Sequence, residues 1–221
     1  MIRGFALLAA AIALAACGGS SGSNGPRPQL RPVAEPSAVI ATELAFARAA
    51  QERGQWTAFA DYAANDAIMF VPEPVNARDW LKKQRNPAQS LTWQPYQVWS
   101  SCDGSLAVTK GGWTRPDGTV GYFTTVWQRQ GRDRGYKWVL DQGDTLAEPL
   151  EAPDFLQAQV ADCRRGANGD AGTAAARSSN DGTLRYQWNI ADDGTRRLTV
   201  DMLIDGEMKT VLTSDVKPER Q

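Results

Sequence analysis

Beyond Pro87 the chain changes character, and that change limits its possible folds more than any other feature. Four segments of strand-like composition follow one another, at residues 91–100, 106–114, 120–130 and 136–142. The breaks between them hold Asp103-Gly104, Pro116-Asp117-Gly118 and a stretch from Gly131 to Gly135, each suited to a hairpin turn. An antiparallel meander is therefore expected. The residues ahead of it read differently. Val39, Ile40, Leu44, Ala47 and Ala50 recur at helical spacing over residues 37–53, with Ser37 available as an N-cap and Gly54 past the end. A shorter helix is expected over 56–62, a brief strand over 67–71 stopped by Pro72 and Pro74, and a third helix over 77–84. Helices first and a meander after them make an α+β pattern.

Several stretches carry a resemblance as well as a pattern. They are Asp66-Ala67-Ile68-Met69-Phe70-Val71-Pro72, Gly104-Ser105-Leu106-Ala107-Val108-Thr109-Lys110-Gly111, Gly121-Tyr122-Phe123-Thr124-Thr125-Val126-Trp127 and Trp138-Val139-Leu140-Asp141. With the element order, residues 37–144 resemble the nuclear-transport-factor-2-like superfamily, in particular its SnoaL-like and ketosteroid-isomerase-like branch. The resemblance implies a cone fold: a strongly curved antiparallel sheet wrapped around helices, with a pocket at the wide end.

The organisation expected is a signal peptide at 1–16, a lipidated tether at 17–36, the cone at 37–146, a linker at 147–182 and a C-terminal meander at 183–221. Within the linker, residues 154–163 read as a short amphipathic helix, and 166–182 as a flexible stretch rich in Gly, Ala and Ser. The last part has three strand-like runs, at 184–190, 197–204 and 208–212, with turns at Asp192-Asp193-Gly194 and Asp205-Gly206. So small a meander is marginal by itself and should pack on the cone or on a partner.

At the N-terminus Arg3 precedes an apolar run from Phe5 to Ala16, which falls short of the roughly 20 residues that span a bilayer. Leu14-Ala15-Ala16-Cys17 resembles the lipobox of bacterial lipoproteins, which implies cleavage and acylation at Cys17. Multiple acyl chains at about 0.8 kcal/mol per buried methylene hold a protein firmly to a membrane. Gly18 stands where an inner-membrane retention signal would carry Asp, so the expected location is the envelope, at the periplasmic side of an outer membrane. The following Gly, Ser and Pro-rich residues are too polar to build a core.

Charge is close to balanced, with 24 basic and 25 acidic residues, and no basic stripe interleaves with aromatics, so nucleic acid is not an expected partner. The chain contains no histidine, which removes Ser-His-Asp and Cys-His catalysis and imidazole-bound zinc. The acidic C-terminal turns lack the spacing of a calcium loop. No metal site and no cofactor is expected. With Cys17 acylated, Cys102 and Cys163 remain as an even pair in an oxidising compartment, where a disulfide is expected.

Two sets of residues are candidates for function. Ketosteroid-isomerase relatives use carboxylates of shifted pKa in an apolar pocket, with a tyrosine as oxyanion donor; Asp141, with Tyr122, is the candidate here. Ligand-binding candidates are Trp56, Tyr62, Trp93, Trp113, Tyr122 and Trp127. The chain has eight tryptophans, some of which must be core while others suit a flat apolar ligand. The reading is a membrane-anchored, noncatalytic envelope protein whose cone binds a small apolar ligand or a protein partner. The alternatives are an isomerase or cyclase-like enzyme with Asp141 as general base, and a dimerisation or interaction module using the meander or the open face of the cone's sheet.

Overall fold

The computed structural model describes residues 34–131, 134–163, 172 and 175–218. The signal peptide, Cys17 and nearly all of the tether lie outside the described residues, as does about half of the stretch expected to be flexible. Among the described residues no helix is long and apolar enough to cross a membrane.

Helix α1 (Pro36–Arg53) begins one residue before the expected Ser37 cap, with proline at its first position and Glu35 as a cap residue that makes no side-chain bond. Its buried stripe is Val39, Glu43, Phe46 and Ala50, spaced four, three and four apart. That differs from the expected stripe. Leu44 is 47% exposed, because a carboxylate occupies a core position and the apolar count alone points about a residue to one side. Gly54, at φ 97°, ends α1 and leads into α2 (Gln55–Tyr62). Asn86 caps α2 from far along the chain, its Oδ1 accepting from the N–H of Trp56 (2.8 Å) and Thr57 (3.2 Å).

Strand β1 (Ala63–Phe70) follows at once, four residues longer at its start than expected, and forms a hairpin with β2 (Pro74–Asn76). Asn76 then caps the single-turn helix α3 (Ala77–Leu81). The expected meander is present as β3 (Thr92–Ser100), β4 (Leu106–Thr114), β5 (Val120–Arg129) and β6 (Tyr136–Leu146). Residues 154–163 do not form a helix: Gln157–Val160 is strand β7. The order in the sheet is β2-β1-β6-β5-β4-β3-β7. Its four central strands are antiparallel, but β1 lies parallel to β6 and β7 parallel to β3. Both parallel pairs join segments linked by long crossovers, which parallel pairing requires.

The fold is α+β, with helices packed in a strongly curved sheet. Register slips at Tyr96 in β3 and at Val139 in β6, opposite Val126 and Trp127 of β5, and such bulges bend a strand. Pro95 sits at the bulge, the position where a sheet tolerates it. Opposite it, Gly111 approaches so closely that a Cβ there would lie 1.8 Å from the Gln94 carbonyl oxygen.

A second, four-stranded sheet comprises β8 (Ala176–Ser178), β9 (Leu184–Ile190), β10 (Arg196–Ile204) and β11 (Glu207–Val216), in the order β11-β10-β9-β8. Its β8 falls within the stretch read as flexible linker. Register tells which face of the large sheet it covers. Thr109, Thr125 and Asp141 are directly opposite one another and share one face; Thr109 bonds Glu43 of α1 there. Lys110, Thr124 and Gln142 share the other, where Gln142 bonds Ser214 of β11 (3.2 Å) and Arg196 of β10 (2.9 Å). The molecule is thus layered: helices, large sheet, small sheet. The outer face of the cone's sheet, one of the surfaces read as open for pairing, is occupied by the chain's own C-terminal strands.

One turn recurs through both sheets. In Asp103-Gly104-Ser105, Asp117-Gly118-Thr119, Asp181-Gly182-Thr183 and Asp193-Gly194-Thr195 the aspartate Oδ1 accepts the N–H two residues on. Each glycine has positive φ. The first and third turns interlock: Thr183 Oγ1 accepts from Cys102 N–H, Asp181 from Asp103 N–H, and Ser105 Oγ from Asn180 N–H. Beside them lies the Cys102–Cys163 disulfide, its Cα atoms 5.1 Å apart. The expected pair of cysteines is joined.

Candidate functional site

The concave side of the large sheet is filled, not hollow, around α1. Glu43 is fully buried, carried inward on the stripe with Val39 and Phe46. Its Oε1 accepts from Trp93 Nε1 at 2.7 Å. Its Oε2 accepts from Thr109 Oγ1 at 2.7 Å and Trp127 Nε1 at 3.0 Å. Among the described residues no cation neutralises it. Burial pushes its carboxyl above the ordinary value, and the three donors, Thr109 first, pull against that rise. Around it the rings interlock: Phe46 meets Phe59 and Trp93 at 4.8 Å, Tyr62 at 5.0 Å and Trp127 at 6.0 Å. Trp138 joins through Phe59 and donates its Nε1 to the Phe59 carbonyl.

In the same row as Thr109 and two strands along the sheet, Asp141 projects from β6 toward the same side. Its Oδ1 accepts from Thr125 Oγ1 at 2.7 Å. Burial pushes its pKa up to about 7; the Thr125 hydrogen bond lowers it, the nearby Glu43 charge raises it, and Arg196 lowers it from across the sheet. Asp141 nonetheless keeps some solvent access, so it is a carboxyl able to exchange a proton near neutral pH. It lies in a pleated strand whose neighbours Leu140 and Gln142 point to the opposite face.

The candidate pair does not converge. Tyr122 stands an odd number of residues from Thr125 and faces outward, where its hydroxyl donates to the Asp215 carbonyl and accepts from Ser214 Oγ, both at 3.2 Å. A catalytic arrangement of Asp141 with Tyr122 as oxyanion donor is not formed. The tryptophans divide in the same manner. Trp127 is fully buried and bonded to Glu43, which makes it core. Tyr62 stacks on Phe46, with Lys137 over its other side at 5.7 Å. Trp56 is half-buried against Trp80 (5.3 Å) and Phe59 (5.5 Å).

Trp93 and Trp113 do meet. They are directly paired across β3 and β4 and line a half-open hollow of about 210 Å³ at the end of the sheet, with Thr92, Gln94, Tyr96 and Leu150. Trp113 is held by a hydrogen bond from its Nε1 to the Tyr122 carbonyl (2.9 Å) and lies against Gly121, where a Cβ would fall 2.2 Å from the indole. The Arg115 guanidinium sits 5.0 Å from its ring. Among the described residues no group of three or more acidic or cysteine side chains is placed to hold a metal ion.

Three residues of this region go unmarked in the sequence reading: Glu43, Gln94 and Tyr96. For Glu43 a signal exists, since it falls at helical spacing between Val39 and Phe46. Tyr96 occupies the bulge itself, and nothing in the local pattern announces it.

No family model matches this chain, and no curated protein matches it. Solved structures do. A proposed aromatic ring hydroxylase from Novosphingobium aromaticivorans aligns at 14% identity and a TM-score of 0.36, over 51% of this chain and 91% of that one. A protein of the DUF3225 family from Pectobacterium atrosepticum, of unknown function, aligns at 12% and 0.39, over 51% and 94%. A proposed calcium/calmodulin-dependent kinase II association domain from Exiguobacterium sibiricum aligns at 13% and 0.34, over 52% and 96%. At these scores the likeness carries no inference about activity.

Proposed function

We propose that this chain is an envelope lipoprotein, acylated at Cys17, whose cone domain binds a small amphipathic molecule at its rim. What supports the ligand reading best is the hollow beside Trp93 and Trp113. Trp113 and Leu150 offer apolar contact, while Thr92, Gln94 and Thr114 offer hydrogen bonds, a lining more polar than that of most small-molecule sites and suited to an amphipathic occupant. Ligand clefts commonly measure about 300–1,000 Å³. This hollow is smaller, so its occupant is the size of one ring or a short chain. Support for the anchor is the lipobox-like Leu14-Ala15-Ala16-Cys17 at the end of an apolar run, together with a disulfide, which persists in oxidising compartments.

Native mass spectrometry of the full-length protein extracted from membranes tests both parts. The expected result is a mature mass starting at an acylated Cys17 and a copurifying small molecule that is lost in Trp113→Ala. A chain that partitions to the soluble fraction equally with Cys17 or Cys17→Ser contradicts the anchor. A ligand retained unchanged by Trp113→Ala contradicts the site.

A second reading rests on Asp141, a carboxyl with its proton affinity raised to about 7 and some access to solvent. Such a group can serve as a general base near neutral pH. An enzyme using it would lose turnover on Asp141→Asn with substrate binding retained, whereas Tyr122→Phe would leave turnover intact, since Tyr122 faces the other side of the sheet.

A further inference from the structure

Strand β7 forms one edge of the large sheet. Among the described residues β7 is paired on one side alone, in parallel with β3. Ala161 turns its N–H to the Ser100 carbonyl at 2.9 Å, and successive residues of a strand direct their backbone groups to alternate sides. Gln157 and Gln159 therefore share that side, while Ala158 and Val160 present N–H and C=O outward. The next outward residue is already in use: Asp162 N–H donates to the Leu203 carbonyl at 2.9 Å. The edge thus bonds a neighbouring strand where one is within reach, and the two rungs before it are open.

The side chains beside those rungs are unusual for an exposed edge. Natural edges are blunted by lysine, proline or a covering loop. Here Phe155 is 84% exposed, Leu156 36% and Val160 39%, three of the five large apolar side chains exposed among the described residues. Along the chain beside them the charge has one sign, although Lys209 of β11 lies near Asp162. No Lys or Arg occurs between Lys137 and Arg164, whereas Glu148, Glu151, Asp154 and Asp162 are all exposed. None of the four is in an ion pair among the described residues.

We propose that β7 is a docking edge for an extended, cationic segment of a partner protein. The segment adds as a further strand on Ala158 and Val160, sets apolar side chains on Phe155 and Leu156, and brings Lys or Arg to Glu151 and Asp154. Main-chain bonds supply affinity and the alternating side chains supply selectivity, as in other strand-addition complexes. Strand addition here is independent of the hollow at Trp113.

The test uses the full-length protein in zwitterionic micelles, isotopically labelled, with a blocked decapeptide alternating valine and lysine as the probe. Binding should shift the Ala158 and Val160 amide signals and slow their hydrogen exchange. Glu151→Lys with Asp154→Lys should weaken binding by about tenfold or more, and Ala158→Pro, which removes an outward N–H and no bond to β3, should abolish it. Unchanged affinity in the doubly reversed variant overturns the proposal, as does equal binding of the same peptide with glutamate for lysine. A concentration-dependent dimer lost in Phe155→Ser also overturns it, because the edge would then belong to a second copy. Should Ala158→Pro lower the melting midpoint, the charge reversal decides alone, since both of its positions are exposed.

Discussion

Glu43 shows how an acid is kept inside an aromatic interior. Three neutral donors replace the water it gave up, and removing the acceptor strands those donors at a cost of about 1–3 kcal/mol each. Glu43→Ala is therefore expected to destabilise by about 3–5 kcal/mol and Glu43→Gln by less than half of that, as read by urea denaturation. Equal losses would mean that the carboxylate's charge and second acceptor oxygen, which both variants lose, carry the whole effect and that the retained volume and amide oxygen of Gln contribute nothing. Asp141 is shifted in the same direction as Glu43, and burial is again the main cause. Its folded pKa lies above its unfolded value, so the folded state holds more protons between about pH 4 and 7, and stability falls as pH rises through that window. Asp141→Asn should flatten the decline and raise stability at pH 8 by on the order of 2 kcal/mol, with little change at pH 4. A variant as pH-sensitive as the parent would contradict the raised pKa. At this scale the sequence was only partly legible. Asp141 could be singled out because a charge interrupts an apolar strand, but the facing of Tyr122 relative to it depends on which residues of β5 and β6 stand opposite each other, and the local pattern does not give that register.

Among the elements, the meander β3 to β6 was readable because its strands are separated by glycine-bearing turns, two of them Asp-Gly-Ser/Thr loops and the third the stretch from Gly131 to Gly135. What could not be read was set by tertiary pairing. Residues 157–160 have a pattern that suits a helix or a strand equally, and parallel pairing with β3 decides for the strand. β8 is three residues long and exists through β9. In α1 the misplaced stripe traces to one residue, Glu43, counted as polar and hence outward. The Cys102–Cys163 bond ties the end of β3 to the chain that enters the second sheet, closing a loop across a separation of 61 residues. Loops of that size contribute about 4 kcal/mol through the unfolded chain. Reduction, or Cys102→Ser with Cys163→Ser, should lower stability by about 2–4 kcal/mol, while the indole and carboxylate contacts within the cone persist. Near-UV circular dichroism would follow the latter; loss of that signal along with the bond would contradict so local a role.

Over the whole molecule, layers explain why the interior is not a cavity. Helix α1 with its Phe46 and Glu43, and the indoles of Trp93, Trp127 and Trp138, fill the concave side, and the C-terminal sheet covers the outer side. That leaves the end of the sheet, where β3 and β4 start and stop, as the place where a tryptophan can be both anchored and exposed. Indole N–H resonances of the nitrogen-labelled full-length protein report on each tryptophan separately, and indole, benzoate and a short fatty acid serve as probes of the expected size. The result expected is a shift of the Trp113 and Trp93 signals with those of Trp127 and Trp138 unmoved; shifts at Trp127 or Trp138 with Trp113 silent would place the ligand in the interior and contradict a site at the rim.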